Sequence, residues 1–489
     1  MSFRKETARF HTITHTLIRR IGLVDCRVFV LYVLEGEDCR PLAFIPLLEY
    51  MLIQGRAKSI SWQRELSRAT GLFIDFLKAN QPIFRQQYDR PLVLALFAEA
   101  LVYGTIGLDG DDASGLYWEP KSLSRATLLL NAVTSFSDWL VNQYDATPLN
   151  PWKNASISEQ MAYWRRFDQR RAHALLSHTY DRAALEAASN QSRFTAVRRK
   201  SLSQDVNSAK FFPLNQIWSL LSSGFLVPGK CNAQPLHERM NIRDMLITIL
   251  LHGGGLRESE PFHLFVSDIA IDPLNSKSAL VRLYHPERGK APDDYIDPLS
   301  GKEVSADREE YLRVKWRLEP RNLVVGRFHA GWKDLKMSNG RDKYAQVHWF
   351  PSYWGEIFLA LFKVYITKLR SRHCNHPFLF VSLKDSVGGA PYTVDSFRQA
   401  HARAVKRTGL VPSKSNGTTP HGHRHSYAQM LTDAAIGAEV IQAALHHKSL
   451  ESQQVYKEPT ADKVNSTLRH ASEKIDSVQS KIFGKGLDL

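Results

Sequence analysis

Four short stretches between residues 251 and 456 constrain the C-terminal half of this chain more than anything else in it. They are Leu251-His252-Gly253-Gly254-Gly255-Leu256-Arg257-Glu258-Ser259-Glu260, then Thr419-Pro420-His421-Gly422-His423-Arg424-His425-Ser426-Tyr427, then Leu445-His446-His447-Lys448-Ser449, then Val455-Tyr456. Ile242, Met245, Leu246, Ile249 and Leu250 recur at helical spacing, and three glycines let the backbone leave that helix in a tight turn, setting Arg257 at the start of the next one. Pro420 suits a first helical turn, and three-residue spacing puts His421 and Arg424 on one face. Val440, Ile441, Ala444 and Leu445 predict a further helix ahead of His447. Arginine presents a planar fork of donors that matches phosphate oxygens at any working pH. Tyrosine, with an ordinary pKa of about 10, attacks only where a site stabilises the charge that develops. Two arginines, two histidines and a tyrosine therefore suit a phosphate.

The order Gly-Leu-Arg-x-Ser-Glu, His-x-x-Arg-His-Ser, His-Lys-Ser and Tyr resembles that of the tyrosine recombinases, the phage-integrase-like family. The resemblance implies a mainly α fold with a small antiparallel β-sheet (α+β), a helical core-binding domain preceding a catalytic domain. It implies that Tyr456 attacks a DNA phosphate to give a 3′-phosphotyrosine, that Arg257 and Arg424 grip the non-bridging oxygens, that His421 supports proton transfer and that His447 hydrogen-bonds the phosphate. Glu260 would orient the pocket; the bland reading of Arg257 is a surface salt bridge with Glu260, which can coexist with the phosphate role. The family carries a lysine general acid on a β-hairpin. Lys290, after the strand Leu280–Tyr284, is the best match, with Arg288 and Lys277 as rivals, and the turn departs from the usual glycine-lysine-glycine form. No cofactor is needed, since the phosphotyrosine conserves the bond. The implied function is a site-specific recombinase, the integrase of a mobile element, acting on double-stranded DNA attachment sites as a homotetramer, with accessory DNA-bending proteins left open.

The rest of the 489 residues divides by pattern. Residues 1–55 hold a β-rich run around Val28–Val33 and are otherwise uninformative. Residues 56–155 predict helices from Ser59 or Ser61 to Asn80, from Leu92 to Tyr103, and from Ser122 towards Asn150, with Phe73, Phe76, Phe136 and Trp139 packed inside; the resemblance makes this the core DNA-binding domain, with Arg125 a candidate DNA contact. Residues 156–205 look like a basic connecting segment whose Arg193, Arg198, Arg199 and Lys200 are candidates for phosphate contact. Residues 206–489 are the expected catalytic domain. Lys290 lies far ahead of His421 for this family, which points to an insertion at about 295–355. A tail at about 460–484 has a heptad seam (Val464, Leu468, Ala471, Ile475, Val478, Ile482) suited to docking on a neighbour.

A formal net charge of +15 favours a polyanionic partner. No apolar run of about 18 residues is present and the N-terminus lacks an apolar signal core, so a bacterial cytoplasm is expected, nucleoid-associated when on DNA. Four scattered cysteines make neither a disulfide framework nor a zinc set. His421, His423 and His425 alternate, a strand-like spacing with no completing carboxylate or cysteine, so no metal is expected. Two alternatives stay open: a non-catalytic architectural or regulatory DNA-binding relative, and a topoisomerase-like enzyme of the same mechanism.

Overall fold

The computed structural model describes residues 9–18, 26–36, 38–55, 58–84, 90–171, 181–197, 211–233, 235–293, 295–296, 301, 305–371, 374–383 and 389–447. It forms two compact units, Met1–Leu202 and Ser203–Leu489. Tyr456, the tail seam and Arg198, Arg199 and Lys200 lie outside the described residues.

The first unit opens with an antiparallel sheet of β1 (His11–Ile18), β2 (Cys26–Glu35) and β3 (Arg40–Ala43), in that order. The β-rich run is its middle strand, and Val28, Phe29, Val30 and Leu31 are all buried. They share a core with Leu47 and Met51 of α1 (Ile45–Gln54) and Leu66 of α2 (Ile60–Ala79). Buried His11 meets Asp75 of α2 at 2.9 Å, which pins β1 to the helices. Ser59 caps α2, accepting from the Trp62 amide, and Ser122 caps α5 in the same way from Arg125. Together α2, α3 (Gln81–Phe84), α4 (Arg90–Tyr103) and α5 (Leu123–Tyr144) bury Phe73, Phe76, Phe97, Leu101, Leu129 and Val133 in one cluster.

Residues 156–205, read from sequence as a connecting segment, contain regular structure where they are described. A short strand β4 (Trp152–Asn154) precedes α6 (Ile157–Arg171) and α7 (Arg182–Ser189), and pairs with β5 (Gln191–Arg193). The cause is a reciprocal cap: the Glu159 amide donates to Ser156 Oγ, and Glu159 Oε2 accepts from the Ser156 amide. The arginine runs masked that signal.

In the second unit α8 (Ile217–Ser219) runs into a wider π-turn at 220–224, and α9 (Leu236–Arg239) leads to α10 (Ile242–His252). The sequence predicts one apolar face for α10. Instead all its residues are buried, because the internal pair Arg243–Asp244 neutralises its only charges. Around it stand the sheet β6 (Ile269–Ile271), β7 (Ala279–Tyr284) and β8 (Tyr344–Gln346), and the helices α11 (Arg308–Trp316), α12 (Tyr353–Val364), α13 (Val394–Arg407), α14 (Pro420–Asp433) and α15 (Ala438–Ala444). The fold class is mixed α+β, mainly helical.

β8 comes from inside the stretch taken as an insertion at 295–355, so the excursion is the β7–β8 connection, residues 285–343. Two buried arginines latch it down. Arg308 pairs with Asp268, its guanidinium centred 4.1 Å from the Phe265 ring and 4.3 Å from that of Tyr284. Arg321, 2% exposed, donates to the carbonyls of Phe262, Phe328 and Tyr392. No helix among the described residues is long and apolar enough to cross a membrane.

Candidate functional site

The glycine turn after α10 shapes the floor of the site. Gly255 has φ +67°, and a Cβ there would stand 2.5 Å from the Tyr427 ring, so both its conformation and its contact require glycine. Arg257 follows in the turn ahead of a 3₁₀ segment at Glu260–His263, not at the start of an α-helix. Its amide donates to Glu260 Oε2 and its Nη1 to Glu260 Oε1, both at 2.7 Å. Glu260 is fully buried. The salt bridge weighed against a phosphate role is therefore formed. It engages one edge of the guanidinium and holds the fork in place.

α14 delivers the second arginine. Gly422 is packed so tightly that a Cβ would stand 1.7 Å from the Gly417 carbonyl. Arg424, 2% exposed, donates from Nη1 to the Gly255 carbonyl, and from Nη2 to the Leu445 carbonyl at 2.7 Å and to His447 Nε2 at 2.9 Å. Arginine has only donors, so His447 Nε2 accepts and its remaining proton sits on Nδ1. Burial, then the positive charges of Arg424 and Arg257, push the His447 pKa down to about 3. His421 lies at the surface, with its ring 4.5 Å from that of His425. Desolvation by its surroundings and then the charge of Arg424 lower its pKa, Glu258 opposes them, and Lys333 and Lys414 add smaller downward pushes. Arg257, His421, Arg424 and His447 thus converge on one region, with both histidines neutral near pH 7.

The other alternating histidine, His423, is core. It stacks on Phe212 at 4.3 Å and meets His401 Nε2 at 2.8 Å and His252 Nδ1 at 3.2 Å, one ring nitrogen to each. Neither partner could be recognised from the sequence. Tyr427 is buried too and donates to the His348 carbonyl at 2.6 Å, with burial raising its pKa, so it is no nucleophile. Among the described residues no group of three or more His, Cys, Asp or Glu is arranged to hold a metal ion.

Lys290 stands elsewhere. Its ammonium is exposed and bonds Asp293 Oδ1 at 2.5 Å, and none of its contacts among the described residues reaches Arg257, His421, Arg424 or His447. The physical reason is the length of the excursion: the chain leaves β7 at His285 and turns back towards the site only after residue 330. There Gly331 passes Ser259, the Lys336 amide donates to the His446 carbonyl at 3.2 Å, and Ser338 and Asn339 pair with Tyr344 to form a hairpin leading into β8. Lys333 and Lys336, both with exposed side chains, were missed because the hairpin partners of β7 are separated by the whole excursion. The first-unit candidates are engaged within that unit. Arg125 pairs with Glu65, while Arg193 pairs with Asp138, donates to the Asn150 carbonyl and stacks 3.9 Å over Trp152.

With this geometry goes a family match: residues 231–463 fit the model described as "Phage integrase family". Over those residues, just under half of the chain, the second unit is similar to the phage integrase family. A similar curated protein is tyrosine recombinase XerA of Pyrococcus horikoshii, 25% identical over 248 residues, which are 50% of this chain and 59% of that protein. The match thus spans under two thirds of that relative's length. Solved structures similar to the chain include the XerH site-specific recombinase bound to difH substrate in a pre-cleavage complex (TM-score 0.45, 13% identity, 85% of this chain and 82% of that one). The Tn1549 transposon integrase in complex with transposon right end DNA gives 0.43 at 14% identity, covering 88% and 98%. A lambda integrase dimer bound to a core site gives 0.37 at 12%, covering 85% and 95%.

Proposed function

We propose that this chain is a site-specific DNA recombinase, the integrase of a mobile element, which cleaves and rejoins DNA through a 3′-phosphotyrosine. The observation that carries the reading is the convergence of Arg257, His421, Arg424 and His447, joined by the Arg424–His447 hydrogen bond and by Arg424's bond to Gly255. The integrase-family match over the same unit supports it. Tyr456 Oη attacks phosphorus, forming a P–O bond as the bond to the 5′ oxygen breaks. The phenolic proton passes to neutral His421. Arg257 and Arg424 stabilise the developing charge on the non-bridging oxygens, and His447 donates from Nδ1. The departing oxygen needs a proton. We assign that role to Lys336, on the hairpin bonded to His446, in preference to Lys290, whose ammonium is held by Asp293. Lys333 lies close enough to His421 to act on its pKa and is the rival. Exchange between two duplexes calls for a homotetramer on double-stranded DNA.

A nicked suicide duplex carrying attachment sites tests this, with a denaturant-stable protein–DNA adduct as the readout. Wild type should form the adduct with or without EDTA, and Tyr456→Phe should form none. Specific binding without any adduct would instead favour a non-catalytic DNA-binding protein.

A further inference from the structure

His446 occupies a conformation that a side chain rarely adopts. Its φ is +53° in the residue immediately before His447, and it is 1% exposed. A non-glycine residue there is strained, so something must hold it. Two bonds do. Its carbonyl accepts from the Lys336 amide at 3.2 Å, and its ring meets the Gln346 carbonyl at 2.8 Å. A carbonyl only accepts, so Nε2 carries the proton and donates, and buried Nδ1 has no hydrogen-bond partner among the described residues. Burial pushes the His446 pKa down to about 4, which keeps the ring neutral and in this tautomer. One residue therefore grips both strands of the 336–346 hairpin, Lys336 by its backbone and Gln346 by its ring. Two residues further on, the His348 carbonyl is held by Tyr427 of α14, the helix that carries Arg424.

We propose that His446 is a positioning residue: it locks the lysine-bearing hairpin to the catalytic turn, so that the loose end of a long excursion becomes a fixed wall of the phosphate site and Lys336 is presented to the leaving oxygen. The second strand is β8, already paired with β7, so the ring bond ties His446 to a fixed strand and the backbone bond then ties Lys336 to His446. The proposal rests on the reading of the site as a strand-cleaving one, and its test separates the two.

The variants are His446→Gly, which relieves the backbone and removes the ring, and His446→Gln, which keeps an N–H donor at nearly the reach of Nε2. Each is compared with wild type in single-turnover adduct formation on two suicide duplexes: one with the normal 5′ oxygen at the scissile bond, and one with sulfur in its place. Sulfur is a good enough leaving group to depart without a proton. His446→Gly should lose about 10-fold or more on the oxygen substrate with DNA affinity unchanged, and recover on the sulfur substrate. His446→Gln should fall between it and wild type, and Lys336→Ala should show the same sulfur rescue. Equal losses on both substrates, or no loss on either, would overturn the positioning role. Amide hydrogen exchange read independently of activity completes the test. Residues 336–346 should lose protection in His446→Gly alone, and unchanged protection would also sink the proposal. Absence of any wild-type adduct on either duplex, with the exchange result as expected, would count against the cleavage reading and leave the tie standing.

Discussion

Arg424 shows how much of the site is decided atom by atom. Its guanidinium serves the Gly255 and Leu445 carbonyls and His447 while almost wholly buried. A lysine has one charged nitrogen and no fork, so Arg424→Lys should leave at least one buried carbonyl unpaired. The expected cost is about 2–4 kcal/mol in urea denaturation and at least about 100-fold in the adduct-forming rate. Wild-type rates in that variant would show that the fork is not needed. Tyr427 offers the contrast. It is a tyrosine close to the site but points its hydroxyl at His348, so Tyr427→Phe should cost roughly 1–2 kcal/mol of stability and still form the adduct. At this scale the sequence shows which residue types gather, but not which of them touch. The spacing of His421, His423 and His425 is regular, yet only His423 enters the core, because α14 turns that face towards Phe212, His252 and His401.

Among the elements, those built on local periodicity follow the sequence closely. α2, α4 and α10 begin and end near their expected residues and α14 begins at its expected proline, since caps, prolines and glycines act over a few positions. The glycine turn after α10 carries a sharp expectation: Gly255→Ala must place a Cβ at positive φ and against the Tyr427 ring. We expect a loss of about 2–3 kcal/mol or more in thermal or urea unfolding, and adduct formation impaired through Arg257 and Arg424 together. A neutral result would mean the turn relaxes freely. The β7–β8 pairing was not legible. Its strands are brought together only after the excursion folds back, and no local pattern marks short Tyr344–Gln346 as the partner of Ala279–Tyr284. Lys290 was a natural reading of the turn after β7 for the same reason.

For the second unit as a whole, buried neutral histidines set the response to acid. Desolvation lowers His252 and His446 to about 4 and His263 and His401 to about 3. Each would have a pKa near 6.5 when unfolded. The unfolded chain therefore binds more protons below that value, and the stability these groups contribute is complete above pH 6.5 and lost as pH falls towards 4. On the order of 1–2 kcal/mol per histidine should be lost between pH 7.5 and 5. The urea midpoint of this unit, read by tryptophan fluorescence through Trp354 beside His252, should fall steeply over that range. A midpoint independent of pH would mean the histidines are charged in the folded state.

What the sequence determined by itself was chemical and local: a basic, helix-rich chain, the glycine turn, the helix starts, and the inventory of arginines and histidines in the order of an integrase-family site. Those signals survive in one dimension because they depend on side-chain type and on spacing within a turn or two. What only the tertiary structure decided was contact at a distance. It brings Arg424 onto Gly255 and His447, gives Arg193 to Asp138 rather than leaving it exposed, makes His423 a core residue, and sets Lys336 instead of Lys290 on the strand bonded to His446. The last of these depends on where a long loop returns, and that is settled by the burial of Arg308, Arg321 and the apolar core beneath them, not by any neighbour in sequence.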